Sequence, residues 1–402
     1  MTEDRTQFEE YVTRTYGQQH LYFKFFGEDI LYIRYDKNFH SLGSFDAYLS
    51  HFKQGITPVL KYFPQKVICG VGKEESSDVD EIVYCVQAVD HTLSSLKGSG
   101  IITDYVVFAN DNHGPDVKNQ LSTMPNVMSF YWFLMVYNYY YPEPVNWNSS
   151  ADKFLYLPGN PQRRHRIYSM YKLHREGLLH DKVSYSWSGD LCNRKDPDPN
   201  WYAGIRELLL EIEPELTIDL KQFIKLIHSW DQDRDDATIV GKQLGHYMMH
   251  PVSEELYNTG CIELIAETWM PNTYHLTEKT WRAIFAGQPF VPVETDFINA
   301  QLESMGFKTF AHYSQTDQQG EVPHSVTEFL SHVKYCVDNS VNIAERFVSV
   351  CKDPVVADSI RSDIEHNRQV VNTYVHNIIA ELDRRIPGFH NIAEKFFTQN
   401  GP

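Results

Sequence analysis

The sequence predicts an α/β protein with two domains and a helical C-terminal segment. After residue 150, short apolar runs alternate with longer stretches of helical spacing. This alternation is typical of a parallel sheet covered by helices on both faces. Beyond residue 325 the chain reads as wholly helical. We therefore expect an N-terminal α/β domain over 1–145, a second α/β domain over 151–325, and a segment over 326–402 that packs back on the domains.

The first domain is predicted to be rich in strands. Two apolar runs flank the turn 27–29 and are expected to pair as a hairpin. The strand candidates are 21–26, 30–35, 66–69, 81–86 and 105–108. The aromatic run over 129–141 could stack on sugar rings, but it is better interpreted as a buried helix. The stretch 141–150 carries prolines and asparagines that break both periodicities, so we interpret it as an interdomain linker.

The second domain is predicted from shorter strands, which alternate with helices more regularly than those of the first domain. Its strand candidates are 153–157, 183–187, 262–266, 289–293 and 308–310. Its helix candidates are 161–179, 201–212, 277–286 and 297–305, followed in the C-terminal segment by 326–337, 341–350 and 355–383. Parallel sheets of this kind bind ligands beyond the carboxyl ends of their strands.

Composition limits the class of protein. The chain has 402 residues, 42% of them apolar, and a formal net charge of −17. It contains no 18-residue apolar run, and its acidic start lacks the apolar core of a secretion signal. The six cysteines form no CxxC pair, which fits a reducing compartment and suggests no structural zinc. We therefore expect a cytoplasmic protein without a membrane partner, in the host cytoplasm if the protein is viral.

One segment carries a local excess of positive charge. Between Pro161 and Lys182 there are six basic residues against two acidic ones, although the whole chain is acidic. The six basic residues are Arg163, Arg164, Arg166, Lys172, Arg175 and Lys182. Such an island indicates either a local anion-binding site or a solvated helix face, and charge alone does not separate these two interpretations.

The segment 262–293 has the pattern of a ligand site at the end of a strand. The predicted strand 262–266 places Glu267 at its carboxyl edge, and Thr277 is a good N-cap for the helix that follows. Glu278 and Lys279 lie in the first turn of that helix, where N–H groups and the helix dipole favour a phosphate. A glutamate at this point can also accept hydrogen bonds from a ribose diol. The competing interpretation is an ordinary helix start with a surface lysine.

The same segment, ETWMPNTYHLTEKTWRAIFAGQPFVPV, resembles the donor-site motif of the α1,3-fucosyltransferases and related GT-B glycosyltransferases. It also resembles glycosyltransferase-like proteins of large phages and viruses, in which a pattern similar to 302–310 follows the helix. The resemblance covers about 153–310 and is strongest over 263–310. It implies two Rossmann-like domains of the GT-B type. The fucosyltransferases carry an asparagine where this chain has Thr268, so the resemblance does not determine the nucleotide base or the sugar of the donor.

The resemblance implies a role for each residue of the site. Glu278 would bind the nucleotide ribose and Lys279 the diphosphate, next to the N-cap Thr277. Glu267 would line the same pocket, near the sugar or the ribose. An arginine that follows the first strand of this domain contacts the phosphates in the fucosyltransferases, and Arg166 fits that register best, with Arg164 and Arg163 as alternates. Fixed positive charges on a leaving diphosphate make a metal unnecessary. The resemblance thus implies a UDP- or GDP-linked sugar donor and no cofactor.

Transfer with inversion of configuration also requires a general base for the acceptor hydroxyl. Our candidates are Asp111 and His113, in the loop after the strand 105–108, with Glu74 or Glu75 as alternatives. Taken individually, each of these residues is better explained as a structural turn residue. The DxD of 231–236 is a metal-binding signature in other glycosyltransferases, but it lies in a charged stretch with no strand before it. The glycine pair of 70–72 lacks the second half of a phosphate-loop fingerprint.

The sequence therefore predicts a glycosyltransferase that moves a sugar from a nucleotide donor to an acceptor hydroxyl. The acceptor could be a glycan, a protein or a hydroxymethylated DNA base, as in a phage-type DNA glycosyltransferase. The charge of −17 argues against a duplex acceptor. A second hypothesis is a non-catalytic nucleotide-sugar or glycan-binding protein. A third, an epimerase-type enzyme, is disfavoured because GxGxxG with its downstream acid is absent.

Overall fold

The computed structural model of the chain describes sixteen ranges of residues, to which every structural statement below refers. They are 21–26, 29–36, 44–57, 59, 66–72, 79–110, 115–140, 146–158, 163–179, 181–185, 199–213, 221–226, 257–267, 276–293, 295–314 and 326–399. The chain divides into two compact units. The first comprises Met1–Tyr139, Met270–Tyr274 and Thr373–Gly401, and the second comprises Tyr140–Trp269, His275–Asn372 and Pro402.

The first unit contains a five-stranded sheet in which sequence order equals spatial order. Its strands are β1 (Leu21–Phe26), β2 (Ile30–Asp36), β3 (Lys66–Gly72), β4 (Asp104–Asn110) and β5 (Val127–Phe130). Strand β1 is antiparallel to β2, and all other pairs are parallel. Phe26 lies opposite Ile30, so the predicted hairpin is confirmed.

Helices cover both faces of this sheet. They are α1 (Phe45–Ile56), α2 (Val79–Gly98), α3 (Pro115–Ser122) and α4 (Trp132–Tyr140), together with the late helix α11 (Ala393–Gln399). Side chains alternate across each strand. Leu31 and Ile33 therefore join the core that includes α1 and α2, whereas Tyr32 packs edge-on against Phe396 of α11.

One prediction for this unit is wrong, and another is right only in part. The predicted strand 81–86 lies inside helix α2, because Ile82, Val86, Val89 and Leu93 are all buried at helical spacing. The β-branched residues of 81–86 are typical of a strand when this short run is taken alone. The helical spacing of the buried residues can be recognised only over the whole stretch Val79–Gly98. In the aromatic run, the predicted helix is confirmed from Trp132 onward, whereas Ser129 and Phe130 belong to strand β5.

The second unit contains a fully parallel sheet of four short strands, as the alternating pattern predicted. They are β6 (Phe154–Tyr156), β7 (Val183–Tyr185), β8 (Glu263–Ile265) and β9 (Phe290–Pro292), in the spatial order β7-β6-β8-β9. The helices in this part of the chain are α5 (Arg164–Arg175), α6 (Pro199–Ile212), α7 (Glu278–Ala286) and α8 (Thr295–Ser304). The α/β class is thereby established.

The C-terminal helices differ from the prediction in one respect. The predicted helices 326–337 and 341–350 are a single helix, α9 (Val326–Val350), followed by the long α10 (Pro354–Arg385). The polar residues in the middle of α9 suggested a break, but the buried hydroxyl of Ser340 donates to the carbonyl oxygen of Cys336 one turn earlier. This bond lets the polar side chain stay within the helix.

The predicted strand 308–310 is also wrong. The backbone N–H of Lys308 donates to the side-chain oxygen of Asn367 at 2.7 Å, and the Asn367 amide donates back to the Lys308 carbonyl at 3.0 Å. A buried side chain of α10 thus takes the place of a neighbouring strand. Within the described ranges, no helix is both long and apolar enough to cross a bilayer.

Candidate functional site

The topology of the second sheet marks one edge as a ligand site. After β6 the chain continues to β7 on one side, and it later returns to β8 on the other side of β6. The connections therefore diverge between β6 and β8. In open parallel sheets, ligands bind beyond the carboxyl ends of the strands at such a topological switch point. The first sheet keeps its sequence order from β2 to β5 and has no switch point among these strands.

Glu267, two residues after the end of β8 at this edge, binds the start of helix α7. Its Oε1 accepts hydrogen bonds from the backbone N–H of Thr277 (3.0 Å) and of Thr280 (3.2 Å) and from the Thr280 hydroxyl (2.6 Å). Its Oε2 accepts from the Thr277 hydroxyl. With only 5% of its surface exposed, the Glu267 carboxylate serves as a buried cap that fixes the first turn of α7.

The N–H groups that the sequence analysis assigned to a phosphate have partners within the chain. Glu267 accepts from two of them, and the Thr277 hydroxyl accepts from the N–H of Lys279 at 3.5 Å, as expected of an N-cap. The backbone N–H of Glu278 bonds its own carboxylate. A ligand anion at this edge would therefore meet side chains first. Sequence reasoning missed the capping role of Glu267 because this role depends on how close β8 lies to α7.

Glu278 and Lys279 form a buried ion pair. The Lys279 Nζ lies 2.5 Å from Oε1 of Glu278, and less than a tenth of either residue is exposed. Burial by itself would raise the pKa of Glu278, but Lys279, the backbone N–H of Glu278 and Arg166 outweigh burial and lower this pKa to about 2. The glutamate is therefore ionised at neutral pH and is held next to two cations.

Helix α5 contributes the second half of the site. The Nε of Arg166 donates to the carbonyl oxygen of Ala266 at 3.1 Å, so the guanidinium lies at the carboxyl end of β8. Burial lowers the pKa of Arg166, whereas Glu278 and Glu267 raise it, so both carboxylates lie within electrostatic reach. Of the two alternates from the sequence analysis, Arg163 is the half-buried N-cap of α5 and Arg164 is exposed.

His165 is a site residue that sequence reasoning missed. Its Nε2 lies 2.7 Å from the carbonyl oxygen of Glu267. A carbonyl oxygen only accepts, so Nε2 carries the proton. Burial, followed by Arg166, lowers the pKa of His165 to about 3, so the ring is neutral at physiological pH. No motif marked this residue, but its position in the first turn of a helix after a strand could have suggested it.

The structure thus brings together residues about 110 positions apart in sequence. Three cations (Arg163, Arg166 and Lys279) and two carboxylates (Glu267 and Glu278) interact at one edge of the sheet, which leaves one net positive charge. A buried ammonium and a guanidinium suit a phosphate, and a carboxylate suits a diol. The arrangement can therefore bind a ligand that carries both groups.

The other predicted site residues lie outside the described ranges. These include the general-base candidates Asp111 and His113, the alternatives Glu74 and Glu75, Thr268, and the acidic stretch 231–236. Within the part of the chain that the structure describes, no three His, Cys, Asp or Glu side chains group as metal ligands would.

No protein-family model matches this chain, and no curated protein matches it. The interpretation of the site therefore depends on its own geometry and chemistry.

We expect the Glu278 carboxylate to make folding sensitive to acid. The pKa of about 2 in the folded chain lies below the ordinary value of 4.5, so ionised Glu278 stabilises the fold above pH 4.5. This contribution, on the order of 3 kcal/mol, is lost as the pH falls from about 4.5 towards 2. Urea unfolding between pH 3 and 7 should show a smaller loss of stability for Glu278→Gln than for the native chain.

The exposed Glu207 of α6 provides the control for this experiment. Glu207→Gln should follow the pH dependence of the native chain. If the native chain and Glu278→Gln lose stability in parallel down to pH 3, the electrostatic role of Glu278 is refuted.

Proposed function

We propose that this protein is a glycosyltransferase of the GT-B type that binds a nucleotide sugar at the carboxyl edge of β6 and β8. One observation carries the proposal. Arg166, Glu278 and Lys279, which come from two separate helix starts, converge at the topological switch point of a parallel sheet. The resemblance of 263–310 to the fucosyltransferase donor motif supports the same conclusion independently of this geometry.

In this proposal the buried ion pair exchanges partners when the donor binds. Lys279 leaves Glu278 for an oxygen of the diphosphate, and the freed Glu278 carboxylate accepts hydrogen bonds from the ribose hydroxyls. Arg166 binds the diphosphate from the side opposite Lys279, while its Nε keeps its hydrogen bond to the carbonyl oxygen of Ala266. Glu267 and His165 hold the two helix starts at the end of β8, so that the charged groups are in place before the donor arrives.

The proposed reaction needs few groups from the protein. The oxygen of the acceptor hydroxyl attacks the anomeric carbon, and the bond from that carbon to the phosphate oxygen breaks. The bonding electrons go to the diphosphate, whose added charge Lys279 and Arg166 stabilise. A base takes the proton of the acceptor, and Asp111 and His113 are the predicted candidates. Because the two cations supply the electrostatic stabilisation, we propose that transfer requires no metal.

Nucleotide binding is tested by thermal shift against UDP, GDP, CMP and their sugars in the presence of EDTA. We expect one of these nucleotides to raise the Tm of the native chain by mass action. Arg166→Ala should lose most of this rise, because it removes a buried cation from the site. Arg164→Ala removes a cation from the same helical turn but on the exposed side, so the rise should persist.

Comparing Arg164→Ala with Arg166→Ala separates binding at this site from a general effect of positive charge. An equal loss of the shift in Arg164→Ala and Arg166→Ala would mean that binding depends on overall charge and not on this site. No shift with UDP, GDP or their sugars would contradict the proposed diphosphate site. Binding without transfer to any acceptor would favour a nucleotide-sugar-binding protein.

A further inference from the structure

Two buried cysteines outside the proposed donor site lie against each other in the second unit. Cys261 stands two residues before β8, and Cys351 follows the last residue of α9. Both are free thiols, and they are joined by a side-chain hydrogen bond. Ninety positions of sequence separate them, so the contact arises from the tertiary fold.

A short segment of chain holds this thiol pair in place. The indole N–H of Trp147 donates to the carbonyl oxygen of Cys261 at 2.7 Å, and the thiol of Cys351 donates to the carbonyl oxygen of Ser149 at 3.4 Å. Asp152, three residues further on, pairs with Lys352. The segment 147–152 is thus attached to both cysteines or to their neighbours, which keeps the two sulfur atoms in register.

The surroundings give the two thiols different chemistry. The hydrogen bond from Cys261 lowers the pKa of Cys351, and Lys352 lowers it further, against the effect of burial. The same hydrogen bond and burial raise the pKa of Cys261. Since the thiolate is the nucleophile, Cys351 is the thiol that reacts first, and Cys261 is placed to resolve the product.

We propose that Cys261 and Cys351 are a reversible oxidation site that closes to a disulfide. The Cys351 thiolate attacks one oxygen of hydrogen peroxide, breaks the O–O bond and forms a sulfenic acid with release of hydroxide. The Cys261 sulfur then attacks the Cys351 sulfur, the S–O bond breaks, and the hydroxyl leaves as water with the Cys261 proton. Two thiols and one peroxide thus give one disulfide and two waters. This proposal does not depend on the proposed function.

Access to the pair runs through the turn between α9 and α10. Both sulfur-bearing residues are buried, but Lys352 and Asp353 in that turn are exposed. A local opening of this turn uncovers Cys351 without unfolding the sheet. The resulting crosslink joins the chain leading into β8 to the start of the turn, and it closes a long loop in the unfolded chain.

A second cysteine pair provides a matched comparison. Cys69 of β3 and Cys85 of α2 also lie close enough to interact electrostatically, and both are buried in the first unit. Burial and Cys85 raise the pKa of Cys69, and both residues lie within regular elements of the core instead of next to an exposed turn. We expect this pair to stay reduced.

The test treats the folded chain with hydrogen peroxide and maps its peptides without reduction. We expect a crosslinked Cys261–Cys351 peptide pair, two hydrogens lighter than the two thiols, which dithiothreitol separates again. Oxidation should raise the Tm by about 5 °C. Cys351→Ser should abolish both the crosslink and the rise. Cys261→Ser should leave Cys351 as a sulfenic acid that a dimedone probe labels.

Three results would overturn the proposal. The first is a native chain that stays reduced after peroxide treatment that oxidises a peptide thiol. The second is a crosslink that forms equally at Cys69–Cys85 or at Cys192. The third is dimedone labelling of Cys261 in place of Cys351. Loss of nucleotide binding in the thermal-shift panel would leave all of these readouts unchanged, so the two proposals fail separately.

Discussion

Lys279→Ala should reduce sugar transfer by about 10²- to 10³-fold, measured as kcat/KM with the donor that the thermal-shift panel identifies. In the proposed reaction, the Lys279 ammonium opposes the charge that builds up on the leaving diphosphate. It is also a buried group, with 7% exposure, so little water is present to replace it. The effect should fall on transfer more than on the affinity for the nucleoside part of the donor.

The same substitution leaves the buried Glu278 carboxylate without its main partner, and loss of stability must be separated from loss of chemistry. The double variant Lys279→Ala/Glu278→Gln removes the charge on both residues. We expect the double variant to recover stability in urea unfolding but not to recover transfer. Arg164→Ala, on the exposed side of the first turn of α5, should keep native kcat/KM. A Lys279→Ala enzyme within about threefold of the native rate would refute the assigned role.

Both ends of helix α7 could be predicted from sequence because the signals for them are local. Thr277 is an N-cap with extended backbone (φ −99°, ψ −174°), and Gly287 ends α7 with a left-handed φ of 67°. Both are consequences of residue type at a helix end. Since Glu278 and Lys279 follow the cap directly, their place in the first turn follows from the same signals.

Features that depend on distant residues could not be predicted in this way. The stretch 308–310 has the composition of a strand, yet its hydrogen-bonding partner is the side chain of Asn367, about 60 positions away. Similarly, Glu267 was interpreted as a ligand-facing acid, and only the position of α7 makes it a cap. His165 carried no motif, because its role is a contact with the backbone of Glu267.

Three side chains of the second unit fix helix α7 to strand β8. Their contacts could not be predicted from the sequence either. Glu263 of β8 is 1% exposed, and its Oε1 accepts from the Arg282 guanidinium at 2.8 Å. The Tyr257 hydroxyl donates to Oε2 of Glu263 at 3.0 Å and accepts from Nε of Arg282 at 2.8 Å. Each of the three side chains thus forms hydrogen bonds with the other two. Arg282 lies one turn after Glu278, so this triad sets where the first turn of α7 stands.

Arg282→Met should destabilise the protein by about 3 kcal/mol or more, measured by urea unfolding at pH 7. The methionine keeps much of the arginine stem but leaves the Glu263 carboxylate buried without a counter-charge. Burial already raises the pKa of Glu263, and Arg282 is the main group that opposes this effect. In the variant this pKa rises further, so the folded chain binds a proton more readily than the unfolded chain. The loss of stability should therefore shrink as the pH falls from 7 to 5.

Glu263→Gln in the Arg282→Met background decides whether charge is the cause. Because this second substitution removes the unpaired carboxylate, we expect it to recover most of the lost stability at pH 7 and to abolish the pH dependence. Tyr257→Phe, which removes one hydroxyl and no charge, should cost about 1 kcal/mol. If Arg282→Met were equally destabilised at pH 5 and pH 7, and unrescued by Glu263→Gln, the defect would lie in packing. The triad would then not be the electrostatic anchor of α7.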